Sequence, residues 1–227
     1  MNQVYIRSRD GRPLSRLIDG IQPASITSFV GGGGKTSSML TMGMELASME
    51  QRVIMTTTTK IRPFSQTLPQ GLRCIGRMDP QGKLRPVDAP DQLKADCDYL
   101  LIEADGSRGL PLKAPASHEP VITEQTGLVI AVVGMWSWGR PIYDVGHRVE
   151  QICHILQKSP EELVTEEDIV RLLLSEEGLR KGVAARRYAV ILNQVDGPAE
   201  EEAALRMAAM LPEEIPCLIT SYRRRDF

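Results

Sequence analysis

Four consecutive glycines followed by a lysine and two hydroxyl residues are the part of the sequence most suited to chemistry. The run reads Gly31, Gly32, Gly33, Gly34, Lys35, Thr36 and Ser37. Glycines let successive backbone N–H groups turn toward phosphate oxygens, and a lysine that follows them can reach the outer phosphates of a nucleotide. The hydroxyl of Thr36 is placed to bind Mg²⁺. The run therefore predicts a phosphate-binding loop, with a flexible glycine turn as the alternative.

The spacing of this loop differs from the common Gly-x-x-x-x-Gly-Lys pattern. The first glycine of that pattern would fall at position 29, which is Phe29. The loop is therefore more similar to the glycine-run loops of the ATPases and GTPases that mature metal centres. Its context still fits, because an apolar strand precedes it and a helix pattern follows without a breaker.

Two carboxylates follow an apolar run that the sequence predicts to be a buried strand. Glu103 ends this run and Asp105 comes two residues later, just before Gly106. A pair of acids at the end of a buried strand is costly unless a cation or hydrogen-bond donors compensate for it. We expect Thr36, Glu103 and Asp105 to hold Mg²⁺, and Lys35, Glu103 and Asp105 to carry the catalytic roles.

A third strand end predicts the base-binding part of the site. Asn193 and Asp196 resemble the Asn-Lys-x-Asp element, in which the aspartate binds guanine, but Gln194 replaces the lysine. A turn capped by Asp196 is the alternative. Both GTP and ATP therefore remain candidates, with a preference for GTP expected if the aspartate binds the base.

A run of four threonines and Lys60 follows a further predicted strand, at residues 56–60. Ligands of parallel α/β sheets bind at the carboxyl ends of the strands, where these side chains would meet phosphates, the metal or a second substrate. Threonine is also simply a good strand former. The threonines therefore have two readings, whereas a charged residue at a strand end favours a functional role for Lys60.

Short apolar runs alternate with helix patterns along the chain, which is typical of an α/β fold with a mostly parallel sheet. Strands are predicted at 25–30, 52–59, 99–103, 128–134, 188–193 and 217–220. Helices are predicted at 35–50, 145–158, 166–177 and 200–210. Thr165 is expected to cap the third helix, since three acidic residues follow it. With the glycine loop, this order predicts a three-layer sandwich of the P-loop NTPase type.

The length and composition fit one domain over residues 1–227, with a helical lobe conceivable near 145–182. The stretches 63–90 and 108–120 are rich in turn formers and predict loops. A net charge of −2 gives no reason to expect nucleic acid as a partner. No stretch approaches eighteen consecutive apolar residues, and the four cysteines form no Cys-x-x-Cys pair. We expect a cytoplasmic protein without a membrane segment.

These motifs together resemble the YqeC family, and the likeness extends from about residue 26 to residue 196. It rests on the glycine run, the threonine run and the Glu-Ala-Asp-Gly-Ser-Arg segment from Glu103. It also includes the segments at 118–122, 146–148 and 193–196. Members of that family are regarded as accessory proteins that help install a selenium-containing cofactor in selenium-dependent molybdenum hydroxylases. The resemblance implies such a role here, with a molybdenum-cofactor or selenium-transfer protein as partner.

The family pattern also draws attention to further residues, namely Arg108, Lys113, His118, Glu119, His147 and Arg148. Arg108 and Lys113 could hold an anionic group, or they could lie in a solvated loop. Three functions follow as hypotheses: an accessory protein that switches with bound nucleotide and hydrolyses it slowly, as metallochaperone-type GTPases do; a small-molecule kinase or ligase that acts on a cofactor precursor; or a nucleotide-binding partner without useful turnover.

Overall fold

An eight-stranded sheet forms the centre of the structure, a computed structural model that describes residues 4–61 and 67–223. The order of its strands is β1-β12-β11-β9-β2-β7-β3-β4. All neighbours are parallel except β1, which pairs antiparallel with β12 at one edge. The strands of the described residues are β1 (Tyr5–Ser8), β2 (Ile26–Gly31), β3 (Val53–Thr57), β4 (Leu72–Cys74), β5 (Arg77–Met78), β6 (Leu84–Arg85), β7 (Tyr99–Glu103), β8 (Leu112–Lys113), β9 (Leu128–Gly134), β10 (Gly146–His147), β11 (Arg187–Asn193) and β12 (Cys217–Ser221).

Helices cover both faces of this sheet. They are α1 (Lys35–Ser48), α2 (Ile142–Val145), α3 (Val149–Leu156), α4 (Glu166–Leu174) and α5 (Pro198–Met210). Alternate residues of β9 contribute to two different apolar clusters, so each face of the strand has its own core. Helix α1 packs into one cluster, whereas α3, α4 and α5 pack into the other. The prediction of an α/β fold with a mostly parallel sheet is confirmed.

The six predicted strands all occur. Those at 99–103 and 128–134 have the predicted bounds, and the ends of the other four differ by at most two residues. The edge strands β1 and β4 were not predicted, because an edge strand is short and only half buried. The predicted helix 145–158 is wrong in part: Gly146 and His147 pair with β8, and Arg148 takes a left-handed backbone with φ 71° before α3 begins. Helix α4 ends at Leu174, short of residue 177, because Ser175 is extended.

The helical stretch near 145–182 packs against the sheet. Side chains of α3 and α4, such as Ile152 and Ile169, lie in the same apolar cluster as Val129 and Val190 of the central strands. In their described residues, the predicted loops at 63–90 and 108–120 contain the short strands β4 to β6 and β8, and a 3-10 helix (Pro90–Asp96) begins at the end of the first. Residues 62–66 lie outside the described part of the first loop. None of the described helices is long and apolar enough to cross a membrane.

The strand order places the carboxyl end of β2 at the centre of the sheet. After β2 the chain builds β3 and β7 on one side, then crosses to the other side to build β9. Such a reversal leaves a crevice at the carboxyl ends of the strands, between loops that diverge in opposite directions. The glycine run follows β2, and Glu103 ends the neighbouring strand β7. The topology therefore brings the predicted site residues of these two segments together.

Candidate functional site

A cleft of about 910 Å³ opens at the carboxyl edge of the sheet. One side is formed by the start of α1 and the glycines before it, and Glu103 lies at its base. Other parts of its lining are the chain after β3, residues 106–109, and the pair His147 and Arg148. Cationic side chains outnumber acidic ones in the lining, so the cleft suits an anionic ligand.

The four residues 31–34, called the glycine loop below, admit no side chain. A Cβ on Gly31 would lie 2.2 Å from the carbonyl oxygen of Val132, and a Cβ on Gly34 would lie 2.1 Å from Nδ2 of Asn193. Both glycines also have positive φ, at 99° and 127°. Larger residues would therefore clash and be strained. The glycine run is required by close backbone packing as well as by any ligand.

Helix α1 begins directly after the glycine loop without an internal cap. Its N-cap residue Gly34 offers no side-chain hydrogen bond, and its first turn contains no acidic residue. The first N–H groups of a helix have no acceptor inside the helix, and the helix dipole gives that end a partial positive charge. Lys35 adds a full positive charge at the same place. This helix start therefore favours an anion from outside the protein.

Lys35 is buried, with 3% of its surface exposed, at the base of the cleft. Its Nζ donates a hydrogen bond to the carbonyl oxygen of Gly31 at 2.6 Å. The same Nζ lies 3.2 Å from Asp105 and 3.8 Å from Glu103. A buried ammonium group needs such compensation. The structure thus brings the three predicted catalytic residues together around one charge.

Glu103 and Thr36 face each other across the start of α1. The Thr36 hydroxyl donates to Oε2 of Glu103 at 2.6 Å. Burial raises the pKa of Glu103 above its ordinary value, against the opposing effects of the Lys35 charge and the Thr36 hydrogen bond. The described residues contain no group of three His, Cys, Asp or Glu side chains that would hold a metal ion. A Mg²⁺ ion beside Thr36 and Glu103 would therefore take most of its ligands from phosphate oxygens and water.

Asp105 lies beneath the glycine loop, outside the lining of the cleft. Its Oδ2 accepts a hydrogen bond from the N–H of Gly31 at 3.1 Å and lies 3.1 Å from Nζ of Lys113. The carboxylate is 1% exposed. Asp105 is thus placed to support the loop and to balance two lysines, rather than to reach a ligand directly.

A buried chain of charges connects Asp105 to the far wall of the cleft. Lys113 is fully buried, and its Nζ donates to the carbonyl oxygen of Gly106 at 2.6 Å and to Glu119 at 2.7 Å. Glu119 in turn accepts from Arg148 at 2.9 Å. Burial acts to raise the pKa of Glu119, but Lys113 and Arg148 outweigh it and lower the pKa to about 2. Glu119 therefore remains ionised at neutral pH.

Asn193 and Asp196 lie on the other side of the glycine loop and do not line the cleft. Asn193 donates to the carbonyl oxygen of Gly33 at 2.7 Å and accepts from Thr220, so it braces the loop. Both oxygens of Asp196 have protein partners: the Trp136 indole donates to one at 3.0 Å, and Ser221 donates to the other. To bind guanine, Asp196 would have to exchange these contacts.

Three of the four hydroxyls in the threonine run are used within the protein, whereas Thr59 lines the cleft. Those of Thr56, Thr57 and Thr58 each donate to a backbone carbonyl oxygen. Lys60, in contrast, lines the cleft, as does Lys83 from the β5–β6 hairpin. Sequence reasoning missed Lys83, because it lies in a turn-rich stretch with no motif of its own. The hydroxyls of Thr56, Thr57 and Thr58 are therefore occupied by backbone partners, whereas Lys60 is available to a ligand in the cleft.

The remaining residues from the family pattern divide into two groups. Arg108, Glu119, His147 and Arg148 line the cleft, whereas His118 is exposed elsewhere. The missed partners Trp136 and Ser221 hold Asp196, and Thr220 holds Asn193. No local sequence signal marks these partners, because they come from the chain after β9 and from β12.

The fold and the site define an α/β protein with a cation-lined cleft at the carboxyl edge of a mostly parallel sheet. The family model for YqeC protein matches residues 27–150, which include the glycine loop, Glu103 and Arg148. The Uncharacterized protein YqeC of Escherichia coli (strain K12) is 34% identical over 183 residues. The alignment covers 70% of this chain and 71% of that protein. The chain belongs to the YqeC family.

Proposed function

We propose that this protein binds a nucleoside triphosphate, GTP or ATP, together with Mg²⁺ in the cleft. The start of α1 carries the proposal: a glycine loop leads into a helix that has no side-chain cap, no acid in its first turn and a lysine as its first residue. Anions bind at such helix starts because unpaired N–H groups and the dipole both attract them. The fold is then a three-layer P-loop NTPase-like sandwich, with the glycine loop as its phosphate loop.

The residues of the cleft fit such a ligand. Lys35 and the first-turn N–H groups of α1 would bind the outer phosphates, while the Thr36 hydroxyl and Glu103 would orient Mg²⁺ and its water. The bound ion supplies positive charge where phosphate oxygens become more negative. Asp105 acts as a positioning residue, because it holds the N–H of Gly31 and the side chain of Lys113. These roles support slow hydrolysis or group transfer by positioning and charge.

The biological role that we propose rests on the family resemblance. The protein would act in the cytoplasm as an accessory protein for the selenium-containing cofactor of a molybdenum hydroxylase. Nucleotide binding would then control its contact with a molybdenum-cofactor or selenium-transfer protein, in the way that metallochaperone-type GTPases use their nucleotide. Such control requires that the bound and free states present different surfaces to the partner.

A small-molecule kinase or ligase is the second candidate function. The observation in its favour is that the cleft has cations beyond those at the glycine loop. Cations placed away from the glycine loop suit the anionic group of a second substrate. Phosphate release measured with and without the partner protein separates the two candidates: stimulation by the partner supports the switch, and phosphate on a small molecule supports the kinase.

Titration calorimetry tests nucleotide binding directly. The wild-type protein is titrated with GTP and with ATP, each with and without Mg²⁺. We expect saturable binding that Mg²⁺ strengthens and that Lys35→Ala weakens. Failure of both triphosphates to bind the folded wild-type protein would refute the proposal. In the same assay, equal affinity for the two purines would argue against guanine recognition by Asp196. If GTP is preferred, Asp196→Asn should shift the preference toward xanthosine triphosphate.

The accessory role is tested in a strain that carries only Lys35→Ala in place of the wild-type protein. We expect a selenium-dependent molybdenum hydroxylase that is synthesised but inactive, with reduced selenium content. A strain carrying Arg140→Gln is the control, because Arg140 is exposed and does not line the cleft. Full selenium-dependent activity in the Lys35→Ala strain, with nucleotide binding lost, would show that the accessory role does not use this site.

A further inference from the structure

The cleft carries positive charge beyond the part of it that lies at the glycine loop. Its lining includes five lysine and arginine side chains against two carboxylates. Both carboxylates are already engaged, Glu103 by Thr36 and Lys35, and Glu119 by Lys113 and Arg148. Only Lys35 belongs to the glycine loop and α1. The other cations are Lys60, Lys83, Arg108 and Arg148.

Arg148 is fixed in place with most of its donors unused. One Nη donates to Glu119 at 2.9 Å, while Nε is buried and has no hydrogen-bond partner among the described residues. A guanidinium group has five N–H donors in a rigid fork, so most of them remain for another group. Because Glu119 is itself held by buried Lys113, the position of Arg148 is set before any ligand arrives.

Arg108 lies on the same cleft and makes no hydrogen bond or ion pair with the described residues. It shares an unusual backbone with Arg148: both have positive φ, at 53° and 71°. Left-handed backbone costs roughly 1 kcal/mol or more for a residue with a side chain, and such residues concentrate at ligand sites. Two cleft arginines with this conformation therefore indicate that their placement serves a ligand.

His147 shows that positive charge is concentrated at the wall of the cleft that Arg108 and Arg148 form. Burial lowers the pKa of His147 below its ordinary value, and the charges of Lys113, Arg148 and Arg108 lower it further. The imidazole is therefore neutral at physiological pH, when the arginines remain charged. A neutral imidazole can donate or accept a hydrogen bond beside a bound phosphate.

We propose that Arg108 and Arg148, with His147 beside them, form a second anion site in the cleft that binds the phosphate or diphosphate group of a second small-molecule substrate. The inference rests on the proposed function, in that the glycine loop takes the triphosphate and leaves this wall to another ligand. Bidentate arginine contacts suit phosphate oxygens. The chain from Arg148 through Glu119 and Lys113 to Asp105 ties this wall to the N–H of Gly31. The two anion sites are thus held in one rigid arrangement.

The test uses inorganic pyrophosphate as the probe and the full chain saturated with a non-hydrolysable triphosphate analogue and Mg²⁺. Calorimetry is run on the wild type, Arg108→Gln and Arg148→Gln, with Arg140→Gln as the matched control. We expect a ternary complex in the wild type. Each cleft variant should weaken pyrophosphate binding about tenfold or more, because a charge-assisted contact is lost. The affinity for the analogue should change less than about threefold. Arg140→Gln should change neither affinity.

Lys35→Ala tests the opposite case, in which triphosphate binding is lost and pyrophosphate binding is kept. Without nucleotide, this variant should still bind pyrophosphate in a way that depends on Arg108, although its affinity for the triphosphate analogue is lost. Because Arg148→Gln removes a partner of Glu119, the fold of this variant is checked by circular dichroism. If Arg148→Gln is unstable, the result for Arg108→Gln, which removes no contact, decides the test.

The outcomes distinguish the two proposals. Strict competition between pyrophosphate and the analogue, or an Arg108→Gln affinity equal to that of Arg140→Gln, would overturn the second anion site. Binding of the analogue without any binding of pyrophosphate would also overturn it and leave nucleotide binding intact. Binding of pyrophosphate that depends on Arg108, without any binding of the analogue, would support the second site and refute the proposed nucleotide function.

Discussion

Helices α1 and α4 begin in opposite ways. At α4, Thr165 accepts a hydrogen bond from the N–H of Asp168, and Asp168 accepts one from the N–H of Thr165. All three residues of its first turn are acidic, and Lys158 pairs with Asp168. At α1, the N-cap is a glycine, the first turn has no acid, and the first residue is Lys35. One helix start is capped by its own side chains, and the other has neither a side-chain cap nor an acidic residue in its first turn.

The difference separates a helix start that stabilises the fold from one whose first N–H groups have no side-chain acceptor. The free N–H groups and partial positive charge are the same at every helix start, so each needs acceptors. A side chain that supplies them stabilises the fold at all times. A helix start without them forgoes that stability and keeps its donors for a ligand. The comparison predicts effects of different kind at the two helices.

Lys35→Ala should give the largest effect. A hydrogen bond to a charged group contributes about 1.5–3 kcal/mol of binding free energy. Its loss corresponds to an affinity for triphosphate that is roughly 10- to 100-fold weaker. The matched variant Lys158→Ala removes a lysine at the start of α4 and should lower stability without changing that affinity. Calorimetry and chemical denaturation on both proteins measure these results. If Lys158→Ala weakened nucleotide binding as much as Lys35→Ala does, the expected difference between the two helix starts would be contradicted.

Thr165→Ala should lower the free energy of unfolding by about 1 kcal/mol, since it removes a side-chain cap. Thr165→Ser keeps the acceptor oxygen and should retain most of the stability. Urea denaturation measures both variants, and triphosphate affinity should be the same as in the wild type. Unchanged stability in Thr165→Ala would mean that the capping box of α4 contributes nothing and that the two helix starts do not differ as described.

Ser37→Asp should convert the start of α1 into one like that of α4. Ser37 is exposed in the first turn, so an acid there would interact favourably with the dipole by about 0.3–1 kcal/mol in the ligand-free protein. The same acid should weaken triphosphate binding by repulsion. Ser37→Asn has a similar size without the charge and is the control. If Ser37→Asp strengthened triphosphate binding, no phosphate would lie at this helix start.

The pH dependence of stability should differ in sign at the two helices, and this is the smallest effect. Burial raises the folded-state pKa of Glu103 above its ordinary value of 4.5, so the folded state holds a proton that the unfolded state has lost. Its contribution to stability is therefore present at low pH and declines as pH rises above 4.5 toward the raised value. Glu103→Gln should remove this decline from denaturation curves measured across that window.

Glu167 in the first turn of α4 behaves in the opposite way. Its own backbone N–H and the Thr165 hydroxyl lower its pKa below 4.5, so its contribution is present above 4.5 and is lost as pH falls. Glu167→Gln should therefore reduce stability near neutral pH and flatten the acid side of the curve. Curves of the same slope for Glu103→Gln and Glu167→Gln would contradict the proposed difference between the two helix starts.

Features that depend on residues close together in the chain could be predicted from the sequence. Apolar runs predicted the central strands because burial on both faces of a parallel sheet leaves little room for polar residues. The cap at Thr165 was predicted because its partners lie within three residues. The glycine run indicated a tight turn between a strand and a helix because glycine adopts positive φ without strain, whereas its role in binding phosphate stays a prediction. Each of these signals is contained in a short stretch of chain.

Tertiary structure decided how the site is built, because its contacts join residues far apart in sequence. Asp105 reaches back to Gly31, and Asp196 is held by Trp136 and Ser221. The sequence predicted Asp105 as a metal ligand and Asp196 as a base contact, but it could not show which donors already occupy these carboxylates. It also predicted a helix through Gly146 and His147, which parallel pairing with β8 overrides. The long-range hydrogen bonds and charges, rather than local propensity, place Arg148 on the cleft.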